Sequence, residues 1–283
     1  MLYFKIKRYF SLGFLKYIFG RFLFIRQLRK KFRKFFKYKK NISHLKNNHV
    51  KLKFSKQFIL NKLENIGISN DIFLDKEINN FILENYKKSE FSCHKQYGNK
   101  NFFKNYDELN DYINNQDNQI PPYFELKNKK FEDLFKEISR SNEILDIVKS
   151  YLGDIKKIDI KLNYSTVCNL NNNLREAYHQ TVNWHYDVHD INFVYVFFYI
   201  NGSNKNSGAH QVIKGSHKKK KFFKHLIGSA KQNDNDLKEF YKEDDFFIIE
   251  GKKGEGFIED TSCYHRALAP KLNPRLCLQL RYH

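Results

Sequence analysis

His185, Asp187 and His189 crowd into the stretch "NWHYDVHDINFVYVFFYI" (183–200), immediately ahead of a run of aromatic and β-branched residues. Imidazole and carboxylate groups at the mouth of a buried strand are costly to desolvate unless something binds them. Alternate side chains of a strand share a face, so His185 and Asp187 project together while Trp184 and Tyr186 point the other way. A third ligand has to come from elsewhere, and the candidate is His265 in "EDTSCYHRALAP", after the glycine-rich turn "GKKGEG". Two neutral imidazoles and one carboxylate on a face of an octahedron suit Fe(II) and leave three positions for a bidentate co-substrate and O2. His189 shares that face, and a His185/His189 pair at helical spacing would suit zinc instead. The strand-like "INFVYVFFYI" argues against the helix that such a pair needs and leaves His189 as a pocket wall.

Downstream, Arg275, Cys277, Gln279 and Arg281 alternate with Leu276, Leu278 and Leu280 in "NPRLCLQLRYH". The leucines can face a packed layer while an arginine points into a cavity, where its planar fork can clamp a carboxylate. Arg275 is the first candidate for that clamp and Arg281 the second. In "KGSHKKKK", His217 is expected to fix its loop by hydrogen bonding, with Ser216 capping the turn. His179 and Gln180 either line the pocket or are solvated. The lysine run 218–221 reads as solvated surface that can steer an anionic substrate.

"WHYD", the strand after it, "SGAHQVIKGSHK" (207–218) and "DTSCYHRALAPKLNPRLCLQLRY" resemble, in this order, the signature segments of the phytanoyl-CoA dioxygenase family of Fe(II)- and 2-oxoglutarate-dependent oxygenases. The resemblance covers residues 140–283. It implies a double-stranded β-helix, or jelly-roll, of the cupin-like kind. It further implies iron held by His185, Asp187 and His265, 2-oxoglutarate paired with Arg275, and O2 as oxidant. With Asp187 present, no coordination position is vacated for a halide, so hydroxylation with release of succinate and CO2 is expected. Two positions depart from the pattern: Ala209 stands where a Pro is usual, and Tyr186 where many members carry a polar or basic residue.

The elements that must position these residues fall into two textures. Over 51–153, "KQFILNKLENIG", "DKEINNFILENYKK", "YDELNDYINNQ" and "FEDLFKEISRSNEILDIVKSYLG" carry apolar residues at three- and four-residue steps. They predict helices, with Gly67 and Gly153 at helix ends and "QIPPYFEL" as a turn. Over 154–283 the texture becomes β-branched and aromatic, in "IKKIDIKLNYSTVC", "INFVYVFFYI", "GAHQVI", "DDFFIIEG", "EGFIED" and "RLCLQLRY". The expectation is one dioxygenase domain over 51–283, its helical part (51–153) packed on a β-helix core (154–283), preceded by an extension, 1–50.

That extension is set apart by charge. The chain carries a formal +20, yet residues 1–63 hold 19 Lys plus Arg and no acid, and the remainder is close to balance with 32 basic and 31 acidic residues. Plotted at about 100° per residue, positions 26–40 gather Arg26, Arg29, Lys30, Arg33, Lys34, Lys37 and Lys40 opposite Leu28, Phe32, Phe35 and Phe36. Such a basic amphipathic helix can lie on an anionic membrane, dock its Phe face on the body of the protein, or touch nucleic acid. Nucleic acid is disfavoured because no base-reading motif is present. No apolar run approaches the ~20 residues of a spanning helix, and charges interrupt every candidate signal core. The four scattered cysteines form no metal or disulfide spacing. A cytoplasmic protein, peripheral at a membrane through residues 1–40 and acting on a small or lipid-linked substrate, is the expectation. A cupin-like binding protein without turnover, or a membrane- or RNA-associated scaffold acting through its basic N-terminus, is the alternative.

Overall fold

The computed structural model describes residues 22–35, 42–97, 100–114, 121–153, 155–178, 180–187, 193–220 and 232–283. In chain order its helices are α1 (Leu23–Phe35), α2 (Lys56–Ile66), α3 (Lys76–Asn85), α4 (Tyr106–Asn114), α5 (Lys129–Ser139), α6 (Asn142–Leu152), α7 (Asn172–Ala177) and α8 (Asp234–Lys238). Its strands are β1 (Val50–Leu52), β2 (Ile68–Leu74), β3 (Glu90–Tyr97), β4 (Lys100–Phe103), β5 (Tyr123–Lys127), β6 (Ile158–Ser165), β7 (Val194–Tyr199), β8 (His210–Ile213), β9 (Phe246–Ile249), β10 (Glu255–Glu259), β11 (His265–Ala267) and β12 (Arg275–Tyr282).

The helices lie where apolar periodicity puts them, and their ends follow cap chemistry. Ser55 accepts from the Phe58 N–H to open α2, and Gly67 closes it with φ of 80°. The linkers between helices are less plain than their sequence suggests, because β1 to β5 run through them. "QIPPYFEL", read as a turn, delivers β5, which pairs with β6 from Tyr123↔Ser165 to Leu126↔Leu162. Tertiary pairing overrides the weak local signal of these strands.

Two antiparallel sheets result. The larger has the order β1-β2-β10-β7-β12-β6-β5-β3-β4 and the smaller the order β11-β8-β9. One face of the larger sheet packs on the helices: Leu276, Leu278, Leu280 and Tyr282 of β12 are each at most 1% exposed, in a cluster with Ile138, Ile144 and Val148. Burial of a Leu contributes about 1.5–3 kcal/mol, so β12 is held mainly through this face. Between the sheets Tyr199, Val212, Ile249, Phe257 and Cys277 form a second, smaller cluster, and beside it opens a cavity of about 320 Å³.

Helix α1 meets the body through Arg26 rather than through its apolar stripe. Its Arg26 is buried, whereas Phe24, Leu28 and Phe32, one turn apart, are 72%, 42% and 55% exposed. Positions 36–40 of the expected helix lie outside the described residues. No described helix is long and apolar enough to cross a membrane.

Candidate metal centre

The three residues expected as ligands meet at one point. Strand β11 carries His265, and the segment before β7 brings His185 alongside through a two-residue antiparallel bridge, His185 N–H to His265 O at 3.1 Å and His265 N–H to His185 O at 2.8 Å. Two residues on, the Asp187 N–H donates to Thr261 O at 2.8 Å. Trp184 and Tyr186 point away into a cluster with Tyr264, Ile213 and Leu237. The alternation therefore places His185 and Asp187 on one face, as their spacing predicts.

The geometry suits a cation. Potential ligand atoms of His185, Asp187 and His265 lie within 4.8 Å of one another. Asp187 carboxylate oxygens stand 4.0 Å from Nε2 of His185 and 3.6 Å from Nε2 of His265. These gaps are too long for hydrogen bonds and match atoms that share one ion at bond lengths of about 2.0–2.2 Å. Both rings are set for ligation: Nδ1 of His185 is 2.9 Å from Asn183 O, and Nδ1 of His265 is 3.0 Å from Cys263 O. Each Nδ1–H donates to a carbonyl, which fixes the tautomer and turns the Nε2 lone pair toward Asp187. Burial, with His185 close by, lowers the His265 pKa to about 4 and keeps that ring neutral.

Behind His265 lies a carboxyl that the sequence did not announce. Glu259 on β10 is fully buried, and burial pushes its pKa up to about 8. Its Oε2 is 2.7 Å from Nε2 of His210, and its Oε1 is 3.8 Å from Nδ1 of His265. The first contact is short but misaligned, since neither atom finds a hydrogen-bond partner of good geometry. The His210 ring stacks on that of His265 at 5.2 Å.

The cavity runs from this centre along β12. Its walls include Tyr123, Asn163, Tyr195 and His210 together with Arg275, Gln279 and Arg281. Both candidate arginines thus face it, as does Gln180, while the leucines between them face the helices. Arg275 donates to Gly208 O and, at 3.4 Å, to Ser165 Oγ, and its buried Nε has no protein partner. The Tyr123 hydroxyl donates to Asn163 Oδ1 at 2.6 Å, and Asn163 in turn donates to Gln279 at 3.1 Å, which stiffens the wall. Tyr123 escaped the sequence reading because it sits in the "PPYF" stretch; Tyr195 is signalled by its alternation with Phe197 and Tyr199 in β7.

The turn between β10 and β11 is anchored from two sides. Burial acts to raise the Asp260 pKa, but Arg26, His217 and hydrogen bonds from Ser262 and Tyr151 outweigh it and hold the carboxyl well below the usual range. On the other side, Lys220 sets its ammonium 4.9 Å from the ring centres of both Tyr186 and Tyr264 and donates to Ser216 O and Ser262 O. Burial lowers its pKa to about 8. The lysine run is thus solvated at Lys218 and Lys219, as expected, but not at Lys220, and Lys221 lies outside the described residues. Ser216 closes its turn by donating to Ile213 O at 2.7 Å, and His217 reaches Glu64 O at 3.3 Å, so both fix the loop as predicted. His179 and His189 lie outside the described residues.

No family model matches the sequence, and no curated protein matches it. The fold is nonetheless shared with solved structures. The crystal structure of EctD from S. alaskensis with bound Fe aligns at a TM-score of 0.53 and 13% identity, over 86% of this chain and 80% of that one. The crystal structure of the non-heme alpha ketoglutarate dependent epimerase SnoN from nogalamycin biosynthesis aligns at 0.50 and 11%, over 80% and 82%. At such identities the likeness is one of fold, and it establishes the jelly-roll architecture.

Proposed function

We propose that this chain is an Fe(II)- and 2-oxoglutarate-dependent dioxygenase that hydroxylates a small or lipid-linked organic substrate, as the resemblance to the phytanoyl-CoA dioxygenase family implies. One observation carries the reading: a two-histidine, one-aspartate cluster and Arg275, which pairs with no carboxylate among the described residues, open onto the same cavity. His185, Asp187 and His265 would hold the metal, and the donor set of two imidazoles and one carboxylate suits Fe(II) with open positions. With 2-oxoglutarate and O2, such a centre supplies oxidative decarboxylation to succinate and CO2 coupled to oxidation of a C–H bond.

The chain's own residues bind and orient. Arg275 would take the far carboxylate of 2-oxoglutarate, its Nε unpaired and its other nitrogens held by Gly208 and Ser165. The carbonyls of Asn183 and Cys263 keep both ligand rings in register. Phe197 and Phe257, stacked 4.7 Å apart, border the cavity and restrict water.

The decisive experiment is anaerobic titration with Fe(II) and 2-oxoglutarate, watching the weak visible charge-transfer band of a chelated complex. The wild type should develop the band, His265→Ala should abolish it and Arg275→Ala should weaken it. Absence of a band in the wild type at saturation sinks the proposal and favours a binding protein without turnover.

A second reading concerns place rather than chemistry. The outward Phe24, Leu28 and Phe32 of α1, within a segment that holds only basic charges, support peripheral attachment to an anionic membrane.

A further inference from the structure

We infer that Arg281 anchors an oxyanion of the substrate, a carboxylate or a phosphate, at the end of the cavity away from Arg275. The inference rests on the dioxygenase reading and adds a substrate class to it.

The two arginines share a face of β12 but not a neighbourhood. Six residues at about 3.3 Å each separate their Cα atoms by about 20 Å. Arg275 stands opposite Ser165 and near Gly208, and its charge bears on His210. Arg281 stands opposite Asp159 on one side and Tyr195 on the other. The Tyr195 phenol, raised in pKa first by burial, is raised further by Asp187 and lowered by Arg281, so both charges lie within reach of it. The metal ligands and both arginines line the one cavity, and Tyr195, paired with Arg281 across β7 and β12, lies near Asp187.

A co-substrate with one distal carboxylate needs one of these cations. With Arg275 in that role, Arg281 is left as a second cation on the cavity. Its guanidinium rests 4.9 Å from the Tyr195 ring centre, and its Nε is buried with no hydrogen-bond partner. Among the described residues no carboxylate pairs with it. The cross-strand candidate, Asp159, is already taken by Lys157 at 2.6 Å and His283 at 2.9 Å. Along the same row Lys161 is neutralised by Glu125 at 2.7 Å. A half-buried arginine facing a cavity without a counter-ion is costly as it stands, and a bound oxyanion, met by the planar fork and oriented by Tyr195, removes that cost.

The test uses the full chain as the anaerobic Fe(II)/2-oxoglutarate complex, in wild type, Arg281→Gln and Arg281→Lys. Formation of the charge-transfer band with 2-oxoglutarate alone is read first. No band in the wild type would refute the dioxygenase reading itself. A band lost in Arg281→Gln but present in wild type would make Arg281 the co-substrate clamp and overturn this inference alone. Three probes are then titrated into the complex: 3-phenylpropanoate, phenethyl phosphate and the neutral 3-phenylpropanamide. The expected result is that at least one anion shifts the band in the wild type, and that the amide does not. Arg281→Gln should weaken the anion's binding by about tenfold or more, and Arg281→Lys should restore most of it. Which anion binds separates carboxylate from phosphate. No anion-dependent shift in the wild type, or equal affinity in Arg281→Gln, overturns the inference.

Discussion

The Arg26 guanidinium lies 2.6 Å from Oδ2 of Asp260, with both side chains less than a tenth exposed and 234 positions apart in the chain. The same carboxylate accepts from Tyr151 of α6 at 2.6 Å and from the Ser262 hydroxyl at 2.6 Å. An N-terminal helix, the helical layer and the turn ahead of His265 thus close on a single carboxyl.

Removing one partner of such a pair strands a buried charge. Arg26→Met is expected to lower unfolding free energy by about 3–5 kcal/mol, measured by urea denaturation, whereas substitution of the exposed Lys31 should change it by about 0.5 kcal/mol or less.

The same pair makes stability depend on acid. A free aspartate titrates near about 3.9, and Asp260 is held below that in the fold. As pH falls, the unfolded chain therefore takes up this proton first. The contribution is complete above about pH 5 and is lost as pH falls through the folded value. Urea midpoints followed from pH 7 to 3 should show this loss in the wild type and a shallower one in Asp260→Asn, which starts from lower stability.

Gly67 ends α2 at φ 80°, and a Cβ there would lie 2.3 Å from Sγ of Cys263 and 2.8 Å from Nδ1 of His217. Gly67→Ala combines a left-handed backbone penalty with overpacking. The expected loss is about 2–4 kcal/mol in thermal or chemical unfolding, part of which Cys263→Ala in the same chain should return by making room.

Lys220 joins Tyr186, beside the ligand Asp187, to Tyr264, beside the ligand His265. Lys220→Met keeps the aliphatic packing but removes the charge and two carbonyl partners. A loss of about 1–3 kcal/mol is expected, together with weaker Fe(II) binding in equilibrium dialysis because both ligand segments loosen.

Membrane attachment is tested on the outward stripe. Phe24→Ser with Leu28→Ser should reduce co-sedimentation with phosphatidylserine-containing vesicles and leave the melting temperature within about 2 °C of wild type, since both side chains are largely solvent-exposed already. Unchanged co-sedimentation would remove the membrane reading.

Much of the site was legible because it obeys a period of two. The alternation of Arg275, Cys277, Gln279 and Arg281 with leucines survives intact in β12, and the shared face of His185 and Asp187 follows the same rule. What escaped depends on distant partners. Arg26 reads as one more solvated base on an amphipathic helix, because nothing in its neighbourhood announces Asp260. Lys220 reads as one lysine of a run, because the two tyrosines that enclose it lie 34 positions before it and 44 after. Glu259 sits in a strand pattern that would accept any residue, and only the packing of the smaller sheet, with β8, against the larger, with β10, sets it against His210. The strands between the helices escaped for a related reason: β2 and β5 are partly polar and defined by the partners they meet.

The two-faced character of β12 also bears on how this chain tolerates change in length. Because side chains alternate strictly, an insertion or deletion of one residue within Arg275–Tyr282 would exchange the faces beyond it. Leucines would enter the cavity, and Gln279 and Arg281 would be driven against the buried helices. No such change can cost the molecule its chemistry while sparing its fold, so the spacing from Arg275 to Arg281 is guarded twice over, once by packing and once by whatever the arginines bind.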